Sequence, residues 1–437
     1  MTPCRLQPSE IQMLALEGGG GKGAAYLGAL GVFADPTVGL FRATSDGRTE
    51  GAVLDKSRIK KIAGSSAGAI TATLVACGYS LQEIHQIVTS PHLRSFYDLP
   101  NKLERPRVGR NLPPAIFTEP SLINTRVGPF AEGEHDLALR RREDSEGVAK
   151  ASLLVSRVIR DLIRRKRINP LTLPTVLQFL LGYDGSGLED QALPGYVRNL
   201  LIDFGFMSGK GAREIIDSLI AQKTIKNGTT TQSVTFEQFF KIHGVELMLT
   251  GTRLETGTSH YFSRTTTPTF RVADAVRISM SIPVLFKPVV IQDGDFPGEG
   301  LAGTWVDGGT IVNLPIHAFD SELGVVNDHV LGLRLGVDAP RKLEDFGGFL
   351  GALVETLMSP SELGQIRTPQ EQAQTVVLPT GRLSTAEFLA PNDVLREAVE
   401  QSAMATMRYF GMQETSSSFL NNRFNVRQVR PESLIAP

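Results

Sequence analysis

Three short stretches carry residue types whose spacing could do covalent chemistry. Gly64-Ser65-Ser66-Ala67-Gly68 fits G-x-S-x-G. Where such a motif joins a strand to a helix, the serine stands at a sharp turn with its hydroxyl presented, and the glycines remove Cβ clashes. The helix N-terminus that follows adds N–H donors and positive potential beside the nucleophile. The same residues also suit a plain helix start with Ser66 as its cap. Gly18-Gly19-Gly20-Gly21-Lys22-Gly23 contains G-x-G-x-x-G. A dinucleotide loop of this form wants an acidic residue at the end of a second strand roughly 20 residues on. That distance falls around Phe41 to Asp46, with no strand before it. A Walker loop needs Ser or Thr after Gly-Lys, and Gly23 follows Lys22. The run has two other uses: bare backbone N–H groups aimed at one oxyanion, or a tight structural turn. Asp307-Gly308-Gly309 comes directly after Trp305-Val306. An aspartate at a strand end, with glycines turning the chain away, can reach a serine on a neighbouring strand and act as its base. Asp-Gly-Gly is also an ordinary turn.

Histidine is the usual base, and the chain has seven: His85, His92, His135, His243, His260, His317 and His329. Only His317 and His329 follow Asp307, as the Ser…Asp…His order of an α/β-hydrolase requires, and neither sits in a distinctive motif. No Cys/His/Asp cluster has metal-ligand spacing, so neither a metal nor another cofactor is expected.

The elements that must position these residues read as alternating strands and helices. Ile11–Leu16 is a short apolar run, strand-like, leading into the glycines; a small-residue helix follows from Ala24 to Phe33 and ends at Asp35-Pro36. Thr37 to Lys56 is polar and turn-rich and reads as a loop. Arg58–Ala63 is a second strand, Gly64–Gly68 the turn, and Ala67–Ala76 a helix stopped by Gly78. Ser80 and Glu83 have capping-box spacing and open a helix through Val88. Further strands are expected at Val245–Thr252, Val289–Ile291, Thr304–Val306 and Val330–Leu335. Helices are expected at Val272–Ser279, Phe346–Met358 and Asp393–Phe410, the last capped by Asn392 or Asp393.

Residues 101–240 differ in texture. Prolines punctuate the start, and helical periodicity then covers Val148–Ile168, Leu171–Leu181 and Gly211–Gln222. The segment reads as a mostly helical insertion or cap inside an α/β layered sheet. Residues 140–167 hold ten Lys/Arg against four Asp/Glu. The helix over 149–167 is expected to pack on the protein with its basic end in solvent. The alternative lays its apolar face on a bilayer while Arg157, Arg160, Arg164, Arg165, Lys166 and Arg167 meet anionic headgroups.

Composition bounds the rest. With 437 residues, 41% hydrophobic, the chain can bury a large core and is not a disordered one. A net charge of −1 excludes a general nucleic-acid binder. Two cysteines cannot make a disulfide framework. Met1 to Glu10 has neither the basic nor the apolar region of a signal peptide, and no apolar run approaches the ~18 residues of a spanning helix. A cytoplasmic protein, or one exported without a signal peptide, is expected, with peripheral membrane association an option. The 43 glycines exceed average usage of roughly 7%.

Taken in order, Leu16-Glu17 with Gly18 to Gly23, then Gly64 to Gly68, then Asp307-Gly308-Gly309 resemble the patatin-like phospholipase family. Gly251 to Gly257, Arg277 to Pro283 with Phe286 and Pro288, and Ser384 to Phe388 leading to the Asp393 helix add to the likeness. It covers about residues 11–100 and 243–411. The resemblance implies a three-layer α/β/α sandwich with a mostly parallel sheet, spanning 8–411, interrupted by 101–240 and followed by a peripheral tail, 412–437. It implies a lipid acyl hydrolase of phospholipase A or lysophospholipase type that uses no histidine. Ser66 would attack the acyl carbonyl, Asp307 would take its proton, and the N–H groups of Gly18, Gly19 and Gly20 would hold the oxyanion. Gly21, Lys22 and Gly23 support that loop, Gly64 and Gly68 the nucleophile turn, and Gly308 and Gly309 the base turn. Two departures stand out: Ser66 and Asp307 are 241 residues apart, and Glu17 replaces the Ser or Asp often found before the glycines. The rival readings are an α/β-hydrolase esterase with a histidine base, and a non-enzymatic module that binds a nucleotide or a partner through the glycine loop.

Overall fold

The computed structural model describes residues 5–43, 51–89, 204–224, 233–296, 298–321, 325–336, 356–357, 366, 368–383, 385 and 390–413. The expected helices over Val148–Ile168 (with its basic stretch 149–167) and Leu171–Leu181, and nearly all of Phe346–Met358, lie outside these residues.

In chain order, β1 (Met13–Leu16) passes through a short 3-10 turn, Gly20–Ala25, into α1 (Tyr26–Phe33). A small hairpin, β2 (Phe41–Arg42) and β3 (Val53–Leu54), precedes β4 (Lys61–Gly64), α2 (Ala67–Cys77) and α3 (Leu81–Thr89). Then come β5 (Gly205–Met207), α4 (Lys210–Gln222), α5 (Phe236–His243), β6 (Glu246–Arg253), β7 (Thr258–Phe262) and α6 (Val272–Ser279). The chain continues with β8 (Val284–Phe286), β9 (Val289–Ile291), β10 (Gly303–Asp307), β11 (Val330–Leu335), α7 (Pro369–Ala373), β12 (Thr375–Leu378) and α8 (Asn392–Tyr409).

The central sheet runs β12-β11-β1-β4-β6-β10-β9, with β7 also paired to β6. The five strands from β12 to β6 are mutually parallel. Parallel strands are covered on both faces, which is why β1 is a continuous apolar run and β4 carries no polar side chain after Lys61. Their two faces still separate: Leu14 and Leu16 join the larger core, while Ala15 and Ala63 face a smaller one with Leu314, Ile316 and Phe319. All eight residues of α1 are buried, and the helix packs against α8 and α3. The molecule is an α/β sandwich: a mostly parallel central sheet with flanking helices.

Local signals account for the boundaries. Gly78 caps α2 with φ +89°, and Ser80 and Glu83 exchange both bonds of a capping box, at 2.7 and 3.2 Å. At α8 the cap differs from expectation: the helix begins at Asn392 itself, with Pro391 before it and no side-chain cap. The β2–β3 hairpin falls in the stretch read as loop, and β7, β8 and β12 were not anticipated; each is two to five residues long, too short for periodicity to register. The end of the 101–240 segment packs into the core. β5 pairs with β8, Ala212, Ile216, Leu219 and Ile220 of α4 are buried, and a buried Arg213–Asp274 ion pair joins α4 to α6.

Candidate active site

Strand register brings the two ends of the sequence together. On β6, Leu249 faces Gly64 of β4 on one edge and Phe262 of β7 on the other. Two residues on, Gly251 faces Asp307 of β10 and His260 of β7. β4 and β10 therefore share one edge of β6. β4 runs parallel to it and β10 antiparallel, so their C-terminal ends meet head to head. Ser66 follows β4 and Asp307 ends β10. Gly64 and Asp307, 243 residues apart in sequence (307 − 64), thus come to a step of two residues along β6, roughly 7 Å.

Ser66 is the pivot of the strand-to-helix turn. It is a non-glycine residue with φ +50° and ψ −121°, 2% exposed, at the N-cap of α2. Strain of this kind persists only where the surroundings fix it. The Ser66 N–H donates to Ser279 Oγ at 3.0 Å, and the Ser66 carbonyl accepts from Ala69 and Ile70 N–H. The flanking glycines are required by contact. A Cβ on Gly68 would lie 2.3 Å from Leu16 O and 2.6 Å from Glu17 O, and one on Gly64 would lie 2.4 Å from Gly68 O. Replacing Gly68 by Ala must push β1 and α2 apart. Thermal unfolding should show a loss of about 3 kcal/mol or more; a melting temperature unchanged in that variant would contradict this packing.

Asp307 is fully buried. Its N–H donates to Ser281 O at 2.9 Å, and its Oδ1 accepts from Gly309 N–H at 2.7 Å. Ser279 and Ser281, at the end of α6, thus hold the backbone of both residues. Burial lifts the Asp307 carboxyl from 3.8 to about 7, against the downward pull of the Ser66 hydroxyl and then the Gly309 N–H. Oδ2 has no hydrogen bond of regular geometry. Ser66 is therefore a close neighbour that a small rotation would align, as is common before substrate binds. A carboxylate with a pKa near 7 is a base matched to neutral conditions.

The glycine loop lies against this pair. A Cβ on Gly18 would meet Ser66 Cβ at 2.9 Å and Asn313 Oδ1 at 2.3 Å. The Gly18 N–H donates to Asn313 O at 3.0 Å, Gly21 N–H to Thr385 O at 2.9 Å, and Lys22 N–H to Gly19 O at 3.1 Å. Among the described residues, the Gly19 and Gly20 N–H groups have no acceptor. Of the three expected oxyanion donors, Gly18 is thus engaged within the fold, which leaves Gly19 and Gly20. Behind the loop, Glu17 is buried: Oε1 accepts from Asn313 Nδ2 at 3.3 Å and Oε2 from Leu335 N–H. Burial lifts its carboxyl from 4.5 to about 7 despite the nearby Arg334. Sequence reasoning gives Glu17 and Ser279 no role beyond the family motifs that contain them and gives Asn313 none; an acidic residue directly after an apolar strand is the one signal pointing to Glu17.

The histidines lie elsewhere. His329 precedes β11, whose first residue pairs with Met13 at the start of β1, and its Nδ1 contacts Glu10 O at 2.9 Å. His317 contacts Asp320 at 2.7 Å and Glu371 at 3.5 Å; Glu371 belongs to α7, just before β12. Both sit at the N-terminal ends of parallel strands, opposite to Ser66. His260 meets Phe262 and Trp305 edge to face. Among the described residues, no histidine is a hydrogen-bond partner of Ser66 or Asp307.

A family model described as patatin-like phospholipase matches residues 14–320, a span that holds all three motifs. The chain is 23% identical over 399 residues to an uncharacterized protein of Acanthamoeba polyphaga mimivirus, with 89% of each chain covered. It is 32% identical over 123 residues to the uncharacterized protein YqhO of Bacillus subtilis, covering 27% of this chain and 39% of that one. Among solved structures it is similar to VipD from Legionella pneumophila, at 15% identity over 92% of this chain and 67% of that chain, with a TM-score of 0.44. It is also similar to the type III secretion protein ExoU of Pseudomonas aeruginosa in its complex with SpcU, at 20% identity over 97% of this chain and 53% of that chain, with a TM-score of 0.34.

Proposed function

The chain belongs to the patatin-like phospholipase family, hydrolases of lipid carboxylic esters, and from that premise we propose a phospholipase A or lysophospholipase that works through a Ser66–Asp307 dyad. The observation that carries this reading is the head-to-head meeting of β4 and β10, which puts Ser66 beside a fully buried carboxyl. Ser66 Oγ attacks the acyl carbonyl as Asp307 takes the hydroxyl proton. The oxygen that becomes negative is held by the Gly19 and Gly20 N–H groups with the N-terminus of α2 beside them. Collapse of the tetrahedral intermediate breaks the ester bond, and the leaving alcohol receives the proton from Asp307. Water, deprotonated by the same carboxylate, then attacks the acyl-enzyme; the bond from Ser66 Oγ to the acyl carbon breaks, Oγ takes the proton back from Asp307, and the fatty acid leaves.

A nucleotide-binding role for the glycine loop is disfavoured by the same geometry: the N–H groups of Gly18, Gly21 and Lys22 already serve the fold. Labelling by a fluorophosphonate probe, with fatty-acid release followed over phospholipids, lysophospholipids and neutral glycerides, tests the proposal. Labelling lost in Ser66→Ala and release from phospholipid or lysophospholipid are the expected results. No labelling under any activating condition would favour a binding module. Among the described residues, no helix is long and apolar enough to cross a membrane. For the basic stretch 149–167, outside the described residues, we propose no bilayer contact. Vesicle flotation that rises with anionic lipid and falls with salt would reassign it to the bilayer surface.

A further inference from the structure

We propose that Asn313 is a positioning residue that clamps Gly18 from both sides and so fixes where the Gly19 and Gly20 N–H groups stand relative to Ser66. The inference rests on the dyad reading above. Asn313 is buried, six residues after Asp307 on the segment that leaves β10. Its backbone carbonyl accepts from Gly18 N–H at 3.0 Å, while its side-chain Nδ2 donates to Gly18 O at 3.1 Å and to Glu17 Oε1 at 3.3 Å. Residue 18 is therefore held at both of its peptide groups by one asparagine. The amide has one workable orientation: both neighbours of Nδ2 are acceptors, so a flipped amide would set oxygen against oxygen. Glu17 is fixed in turn, because its other oxygen accepts from Leu335 N–H at the end of β11.

The clamp has no slack. The space a Cβ on Gly18 would need is taken by Asn313 Oδ1 and Ser66 Cβ, at 2.3 and 2.9 Å from that position. Any shift of the amide passes directly to the loop beside the nucleophile. The segment bearing the base thereby also sets the oxyanion donors, so the two halves of the site move as one body. Misplacing such donors by about 1 Å costs on the order of a hundredfold in rate.

Steady-state hydrolysis of the best phospholipid or lysophospholipid by the full chain tests this. Asn313→Ala keeps the backbone bond to Gly18 and loses both side-chain bonds. It should lower kcat about a hundredfold with KM within threefold of wild type. Asn313→Asp preserves volume, removes both donors, and should lose as much; it serves where the alanine variant does not fold. Glu17→Gln should cost about tenfold, and adding it to Asn313→Ala should change kcat less than threefold further, because Glu17 acts through the amide it braces. A folded Asn313 variant with kcat within threefold of wild type, a loss confined to KM, or additive effects of the pair would overturn the clamp. Wild-type protein without esterase activity or Ser66 labelling would overturn the dyad reading instead.

Discussion

Ser66→Ala is expected to reduce fatty-acid release by about 10⁴-fold or more while leaving the melting temperature within a few degrees of wild type. The change removes one oxygen from a residue whose other contacts are made by its backbone: N–H to Ser279 Oγ, carbonyl to Ala69 and Ile70 N–H. The fold does not depend on that oxygen, whereas the proposed covalent step does. Asp307→Asn should lose about as much activity. Asparagine keeps the shape and can still accept from Gly309 N–H, but it cannot take a proton. His317→Ala and His329→Ala should stay within twofold of wild type, since both lie at the far end of the parallel strands. The measurement is fatty-acid release by the four purified variants, each checked for native circular dichroism. A loss above tenfold in either histidine variant, with folding intact, would restore the histidine-base reading.

How much of this was legible beforehand depends on the range of the interaction. Local chemistry was: the glycines at 64 and 68 announce a turn without room for Cβ, and the structure puts carbonyl oxygens where those carbons would be. Gly78 and the Ser80–Glu83 box marked helix boundaries for the same reason, since each acts within one turn of chain. The meeting of β4 and β10 was legible only through the family resemblance, because it is decided by which edge of β6 each strand takes. No residue in either strand encodes that alone. Gly18 shows the same limit. A run of glycines signals available N–H groups, but only the position of Asn313, 295 residues away, decides that the first of them is taken. The short strands β5, β8 and β12 form because partners are already in place, so their sequences carry little periodic signal.

The burial that would suit Asp307 to the proposed base role should also make it a burden on folding, and pH separates the two. Its carboxyl rises from 3.8 to about 7 in the fold, with desolvation the largest cause. A carboxyl raised on folding favours the protonated folded state. Its contribution to stability is complete below about pH 4, declines through the window from 4 to 7, and is gone above 7. Three pKa units correspond to on the order of 4 kcal/mol. Asparagine carries no charge at any pH and escapes this loss. Asp307→Asn should therefore melt close to wild type near pH 4 and several degrees above it at pH 8 to 9, the difference growing through neutrality. Activity runs the other way: wild-type kcat/KM should rise with pH through about 7 as Asp307 loses its proton. Glu17, lifted to about 7 by its own burial, titrates in the same range and adds to that limb. The difference in melting temperature between Asp307→Asn and wild type cancels Glu17 and isolates Asp307. A pH-independent difference, or an asparagine variant no more stable than wild type at pH 8 to 9, would mean that the folded enzyme already holds Asp307 ionised at little cost. The base would then owe its readiness to solvent or to a charge partner rather than to burial beside Ser66.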